Sequence, residues 1–239
     1  MIYKKDTIDM SLVQCPYEEE CDFIYIADDY TNNILKLSGY EEIGNDGFTT
    51  LCYYKKLVKY LPEYALKSPS NAYHYARDVL NGRFELGEPV IATSVFYSYW
   101  YVSDILKDRF ELGEHAIATN AEYAYKYANG FLKERFEIGE TAISTDAALS
   151  YYYARNVIKG RFELGEHTIA KSAEFCCFYA SDALKSRFEL GEPTIANSSH
   201  FSLIYARDVL KGRFELGESA IADDVGLKRK YFKLTGIRL

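Results

Sequence analysis

The sequence predicts an all-α chain: an α-solenoid of stacked short helical hairpins with a small N-terminal capping region. Three observations carry this. A phrase, Arg-Phe-Glu-Leu-Gly-Glu, begins at Arg83 and returns every 26 residues at Arg109, Arg135, Arg161, Arg187 and Arg213, with Ile138 in place of Leu as its only change. A fixed period of this length marks a repeat architecture. Each period opens on a residue that caps helices (Ser68, Ser94, Asn120, Asp146, Ser172, Ser198), and a Tyr stands seven residues later in every copy, at Tyr75, Tyr101, Tyr127, Tyr153, Tyr179 and Tyr205.

Four segments follow from the period: a non-repeat segment over 1–41, a degenerate leading repeat over 42–67, six repeats over 68–223, and a capping helix over 224–239. In the first, Phe23-Ile24-Tyr25-Ile26 fits a strand or a buried helical turn equally well. Asp28–Leu37 reads as a short helix, and Gly39, Gly44 and Gly47 punctuate a loop. Leu51, Tyr54, Leu57, Val58 and Leu61 recur at helical spacing until Pro62 stops the helix.

Counting the capping residue as position 1, apolar residues fall at positions 4, 8, 9, 12 and 13, one broad helical face. Pro69 follows Ser68 at the first helical position, where its missing N–H costs nothing. Gly82, Gly160 and Gly212 at position 15 fit a left-handed helix end. The phrase then turns the chain into a shorter second helix anchored by Ile91 and its equivalents through Ile221. A Gly repeated inside that helix start implies close backbone approach or a special dihedral. Tyr231 continues the tyrosine series into a basic closing helix, as the end of a stacked array requires.

Composition narrows the function. A net charge of -7 argues against nucleic acid or an anionic membrane as partner. No apolar run approaches the roughly 20 residues of a membrane span, and the N-terminus lacks the apolar core of a signal peptide. The five Cys are therefore expected as reduced thiols in a cytoplasmic protein. Cys15 and Cys21 match no common zinc spacing, and His115 and His167 sit two repeats apart. No metal, cofactor or catalytic residue is expected, and the chain reads as a non-enzyme.

The phrase supplies a ladder of charged residues, Arg83, Arg109, Arg135, Arg161, Arg187 and Arg213 with Glu88, Glu114, Glu140, Glu166, Glu192 and Glu218. Six identical sets suit pairing and capping between adjacent repeats better than an active site, which is needed once. Position 7 instead varies, as His74, Trp100, Lys126, Tyr152, Phe178 and Ile204, and Phe96 stands beside it at position 3. Variable, partly aromatic outer positions on a constant scaffold form a candidate partner-binding surface. The alternative is that these rings are half-buried against the next repeat.

The pattern Ser-x-x-x-x-x-x-Tyr-Ala-Arg-Asp-Val-Leu-Lys-Gly-Arg-Phe-Glu-Leu-Gly-Glu-x-x-Ile-Ala, as in Ser198 to Ala222, resembles tandem helical repeats of tailed phages and other large DNA viruses. The resemblance covers roughly residues 68 to 235. Related copies often carry Trp and Pro where this chain has Phe84 and Leu86. It implies a viral source and supplies no functional residues. The expected function is a protein-binding scaffold whose partner is a host factor, such as a component of antiviral defence. Three alternatives stay open: an acidic mimic of nucleic acid, a self-assembling structural protein, and a small hydrolase or transferase within residues 1–66.

Overall fold

The computed structural model describes the backbone of residues 2–4, 23–25 and 42–44, and residues 65–239. The three N-terminal pieces are strands β1 (Ile2–Lys4), β2 (Phe23–Tyr25) and β3 (Glu42–Gly44), in the order β2-β1-β3. Both pairings are antiparallel, Tyr3 facing Ile24 on one side and Glu42 on the other, with an irregularity between Ile2 and Tyr3 in the second. The strand alternative at Phe23 thus prevails, and Gly44 ends a strand within the stretch expected as loop. The helices expected over 28–37 and 49–61 lie outside the described residues.

From Ala65 onward the chain is helical and repeats as expected. It forms two compact units, Met1–Gly113 and Glu114–Leu239. In each repeat the first helix starts at its capping residue. Ser68, Asn120, Asp146, Ser172 and Ser198 each accept a first-turn backbone N–H on the side-chain oxygen, as does Asp224 before the last helix, Val225–Thr235. Ser94 has the same extended backbone without that side-chain bond.

The first helix does not stay α. It is α for six or seven residues, as over Ala147–Tyr153, and then widens to a π-helix, as over Ala154–Ile158. The π segment ends on a left-handed residue whose N–H returns to the position 9 carbonyl: Asn81, Lys107, Lys133, Lys159, Lys185 and Lys211, with φ between 49° and 57°. The left-handed residue was expected one place later, at Gly82, Gly160 and Gly212. The wider turn closes its ring at position 14, so the chain takes its positive φ on a Lys or Asn and the Gly follows in ordinary backbone.

In four repeats the second helix begins as a tight turn, as over Glu189–Gly191, and continues as a short α-helix, Glu192–Ala196; in the other two it is α throughout, over Glu111–Ile117 and Glu163–Ile169. The core is a column of fully buried side chains. Tyr153, Ala154, Ile143 and Phe162 show its components, supplied by positions 8, 9, 24 and 17. Positions 12 and 13, expected in the core, are mostly half-buried. Position 5 replaces them with small residues, Ala72, Ser98, Ala124, Ser150, Cys176 and Ser202, all fully buried. The Ser98, Ser150 and Ser202 hydroxyls donate to the carbonyls of Ile91, Ile143 and Ile195 at 3.0–3.1 Å, tying each second helix to the first helix that follows.

Small residues are required there because the phrase glycine comes so close. A Cβ on Gly165 would lie 2.6 Å from the Phe162 ring and 2.7 Å from Ser150 Cβ, and one on Gly191 2.6 Å from Cys176 Sγ. These glycines have negative φ (Gly191, -90°), so close approach, not a special dihedral, explains them.

Candidate recognition surface

The charged ladder pairs within repeats, not between them as expected. Arg83 reaches Glu88 five residues on, its Nε and Nη2 donating to the two carboxylate oxygens at 2.6 and 3.0 Å. The fork recurs at Arg135–Glu140, Arg161–Glu166, Arg187–Glu192 and Arg213–Glu218. Each Arg is exposed while its Glu is buried or nearly so. Burying a carboxylate is expensive unless it is paired and hydrogen-bonded. The guanidinium fork meets that need bidentately, and Tyr supplies the rest.

The link between repeats is the position 8 Tyr. Tyr179, from the following repeat, donates its hydroxyl proton to Glu166 Oε1 at 3.0 Å and accepts the Phe162 N–H at 2.8 Å. Tyr101, Tyr153, Tyr205 and Tyr231 make the same two bonds to the phrases that precede them. Glu114 accepts the Tyr127 hydroxyl at 3.2 Å, and Arg109 lies exposed in its loop. Burial raises the pKa of these phenols, to about 12 at Tyr231, which keeps them neutral donors.

A second link went unread in the sequence. Tyr151 donates to Asp182 at 2.6 Å, 31 residues away, and Asn156 donates to Tyr125 at 2.9 Å across the same interval. Tyr73 and Asp104 form the equivalent bond in the first unit. The signal was present: Tyr at position 6 in four repeats, with Asp or Asn at position 11 in five.

The position 6 rings carry the variable aromatic residues. In the first unit, Trp100 packs against Tyr73, Phe96 and Tyr97 with ring centroids 6.1, 6.2 and 5.6 Å apart. His74 joins the cluster edge-on to Tyr73 at 5.1 Å. In the second, Tyr151 supports Tyr152 at 5.0 Å and Phe178 at 5.9 Å. Phe96 remains 52% exposed and Trp100 and Tyr152 each 40%, whereas His74, Phe178 and Ile204 are half-buried. Lys126 is exposed and paired with Glu122 at 2.5 Å. Each of these rings leans on a neighbour, and Phe96, Trp100 and Tyr152 keep a large exposed face.

Comparison with protein-family models, curated proteins and solved structures finds no match to this chain. The site is therefore described by its own chemistry. The buried vicinal thiols Cys176 and Cys177 are pushed up to about 12 by desolvation, so neither is a nucleophile at neutral pH. Among the described residues no helix is long and apolar enough to cross a membrane.

The phrase Leu or Ile is exposed in both units, at Leu86 and Leu112 in the first and at Ile138, Leu164, Leu190 and Leu216 in the second, from 46% at Leu190 to 72% at Leu86.

Proposed function

We propose that this chain is a non-enzymatic protein-binding scaffold that engages its partner through the aromatic surface of the first helices. The observation that carries this is the half-free state of Phe96, Trp100 and Tyr152. Each is held by a neighbouring ring, so little side-chain entropy is lost on binding, and a large apolar face is available to desolvate. Rigid aromatic anchors of this kind dominate the energetics of many interfaces. The viral resemblance supports a host protein, such as a defence component, as the partner.

Mimicry of nucleic acid loses ground on one observation. Glu88, Glu140 and Glu192 are buried beneath bidentate arginines, so these phrase carboxylates present little negative charge to a partner.

The test is affinity capture from host-cell lysate after nuclease treatment and at moderate salt, comparing wild type with the variant Phe96→Ser, Trp100→Ser, Tyr152→Ser. A single protein retained by wild type and lost by the variant is expected. Equal retention by both would remove the aromatic surface as the site, and loss of all retention at moderate salt would favour electrostatic mimicry.

A further inference from the structure

We propose that the outer face of the closing helix, Val225–Thr235, binds single-stranded nucleic acid through its phosphates. The net charge of -7 conceals a segregation. All 35 acidic residues lie at or before Asp224, and the residues after it carry Lys228, Arg229, Lys230, Lys233 and Arg238 without a single acid. Eight arginines between Arg77 and Arg213 each meet a carboxylate at 3.6 Å or closer. Among the described residues, none of the cations after Asp224 has such a partner.

Folding does not ask for this row. The last helix of a stacked array needs a polar outer face, which neutral or mixed side chains supply. The helix dipole favours Lys233 in the last turn, but not Arg229 and Lys230 in the middle. All three are exposed, and Arg229 and Lys230 precede Lys233 by four and three residues, the spacing at which like charges on a helix repel. The opposite face is closed. Tyr231 is fully buried, its hydroxyl donating to Glu218 and accepting the Phe214 N–H, and Leu227 and Leu234 are half-buried on the same side. The two carboxylates bonded to this helix are taken up by its frame: Asp224 accepts the Leu227 N–H, and Glu218 holds Tyr231 under the Arg213 fork.

Charge and an aromatic ring select the occupant. A phosphate backbone repeats one negative charge with no cation between, and a face of cations without an acid complements it. A protein surface, which intersperses both signs, does not call for such a face. Phe232 stands on the outer side, 42% exposed, with the Arg238 guanidinium 5.5 Å from its ring centre. A ring among cations is a platform on which an unpaired base stacks, whereas a duplex keeps its bases inside. A helix on a lipid surface lays its apolar face into the bilayer, and here that face is turned into the array. Salt screens charges beyond about 8 Å, so the more distant acidic repeats repel a strand held here only weakly.

The test is fluorescence anisotropy of the full chain with a labelled oligothymidine of about 12 nucleotides, the matching duplex, phosphatidylserine vesicles and polyglutamate as competitors. The oligothymidine should bind saturably and outcompete all three. Its binding constant should fall with salt with a logarithmic slope of about -3, from about 0.7 for each phosphate met by Arg229, Lys230, Lys233 and Arg238. The variant Arg229→Gln, Lys230→Gln, Lys233→Gln should lose at least about tenfold in affinity and most of that slope. The charge-keeping variant Arg229→Lys, Lys230→Arg, Lys233→Arg should retain both. Phe232→Ala should weaken binding about tenfold and leave the slope unchanged. Circular dichroism checks that each variant stays folded, and single glutamine substitutions serve if the triple does not. No binding by wild type, or binding that the folded glutamine variants keep, overturns the proposal. Duplex bound as tightly with no effect of Phe232→Ala overturns the single-strand assignment, and tighter binding of vesicles or polyglutamate overturns nucleic acid as the occupant.

Discussion

Two glycines in the second unit should respond in opposite directions to the same substitution. At Gly165 an alanine Cβ would sit 2.6 and 2.8 Å from two atoms of the Phe162 ring and 2.7 Å from Ser150 Cβ. Carbon atoms rest about 3.5–4.0 Å apart, so each neighbour must retreat by nearly 1 Å. Neither has room. Phe162 is 1% exposed and stands edge-on to Tyr153 at 5.1 Å, and Ser150 is fully buried with its hydroxyl on Ile143. Overpacking of this kind costs about 1–3 kcal/mol, offset by the roughly 0.5–1 kcal/mol that Ala gains over Gly within a helix. The net loss for Gly165→Ala is then about 1–2 kcal/mol. Gly130 lies in the π segment Ala128–Leu132 with nothing within 4 Å of the same added atom. Gly130→Ala should therefore gain about 0.5–1 kcal/mol, largely by restricting the unfolded chain. Urea unfolding followed by circular dichroism, with amide exchange of the affected repeats to expose local opening, should separate the two by about 1.5–3 kcal/mol. Gly165→Ala at or above wild-type stability would refute the claim that close approach is what keeps this position glycine.

Three further outcomes follow from the clasp. Tyr179→Phe removes the acceptor of the Phe162 N–H and a donor to Glu166, so it should cost about 1–3 kcal/mol and raise amide exchange at Phe162, whereas Tyr152→Phe on the surface should be near neutral. Alkaline unfolding should be steep. Burial raises the folded pKa of Tyr101, Tyr153, Tyr179 and Tyr205 above the ordinary value of 10.0. Below pH 10 these phenols are neutral in both states; above it the unfolded chain ionises first, and each costs about 1.4 kcal/mol of stability per pH unit. Tyrosinate absorbance should therefore rise in two phases, the second coinciding with helix loss; complete ionisation before any helix loss would contradict it. In acid the sign reverses. The Arg213 guanidinium holds the Glu218 carboxyl below its ordinary value of 4.5. The stabilisation is present above that value and fades as pH falls through the lower folded one, and circular dichroism of Glu218→Gln should show a smaller acid-induced helix loss.

The scaffold was legible where one residue type answers one physical demand. The capping residues, the Tyr column and the Ile anchors could be read directly, because a free helix amide or a buried face leaves few choices. Position 5 was not, since Ser98 and Ser150 look like surface residues until a glycine is seen pressed against them. The helix end was placed one residue late because no side-chain pattern distinguishes a widened final turn from an α one, and Gly82 looked like the natural left-handed residue. Arg83 and Glu88 were recognised as partners but assigned to different repeats. Only the path of the turn shows that five residues bring them side by side and that Tyr101 crosses over. The aromatic surface was legible in kind from its variation. Its support was hidden because Tyr73 and Tyr151 bond across 31 residues, slightly more than one period.

The reach of these bonds bears on how such a chain changes length. The Arg–Glu fork spans five residues, the Tyr–Glu bond 13 and the Phe–Tyr bond 17, all less than one period. A duplication or deletion of 26 consecutive residues inside the array thus brings or removes one whole set of these three fastenings, in whatever phase it falls. The bonds that reach 31 residues behave differently: they need Tyr at position 6 and Asp or Asn at position 11 one repeat later, so they depend on which repeats become neighbours.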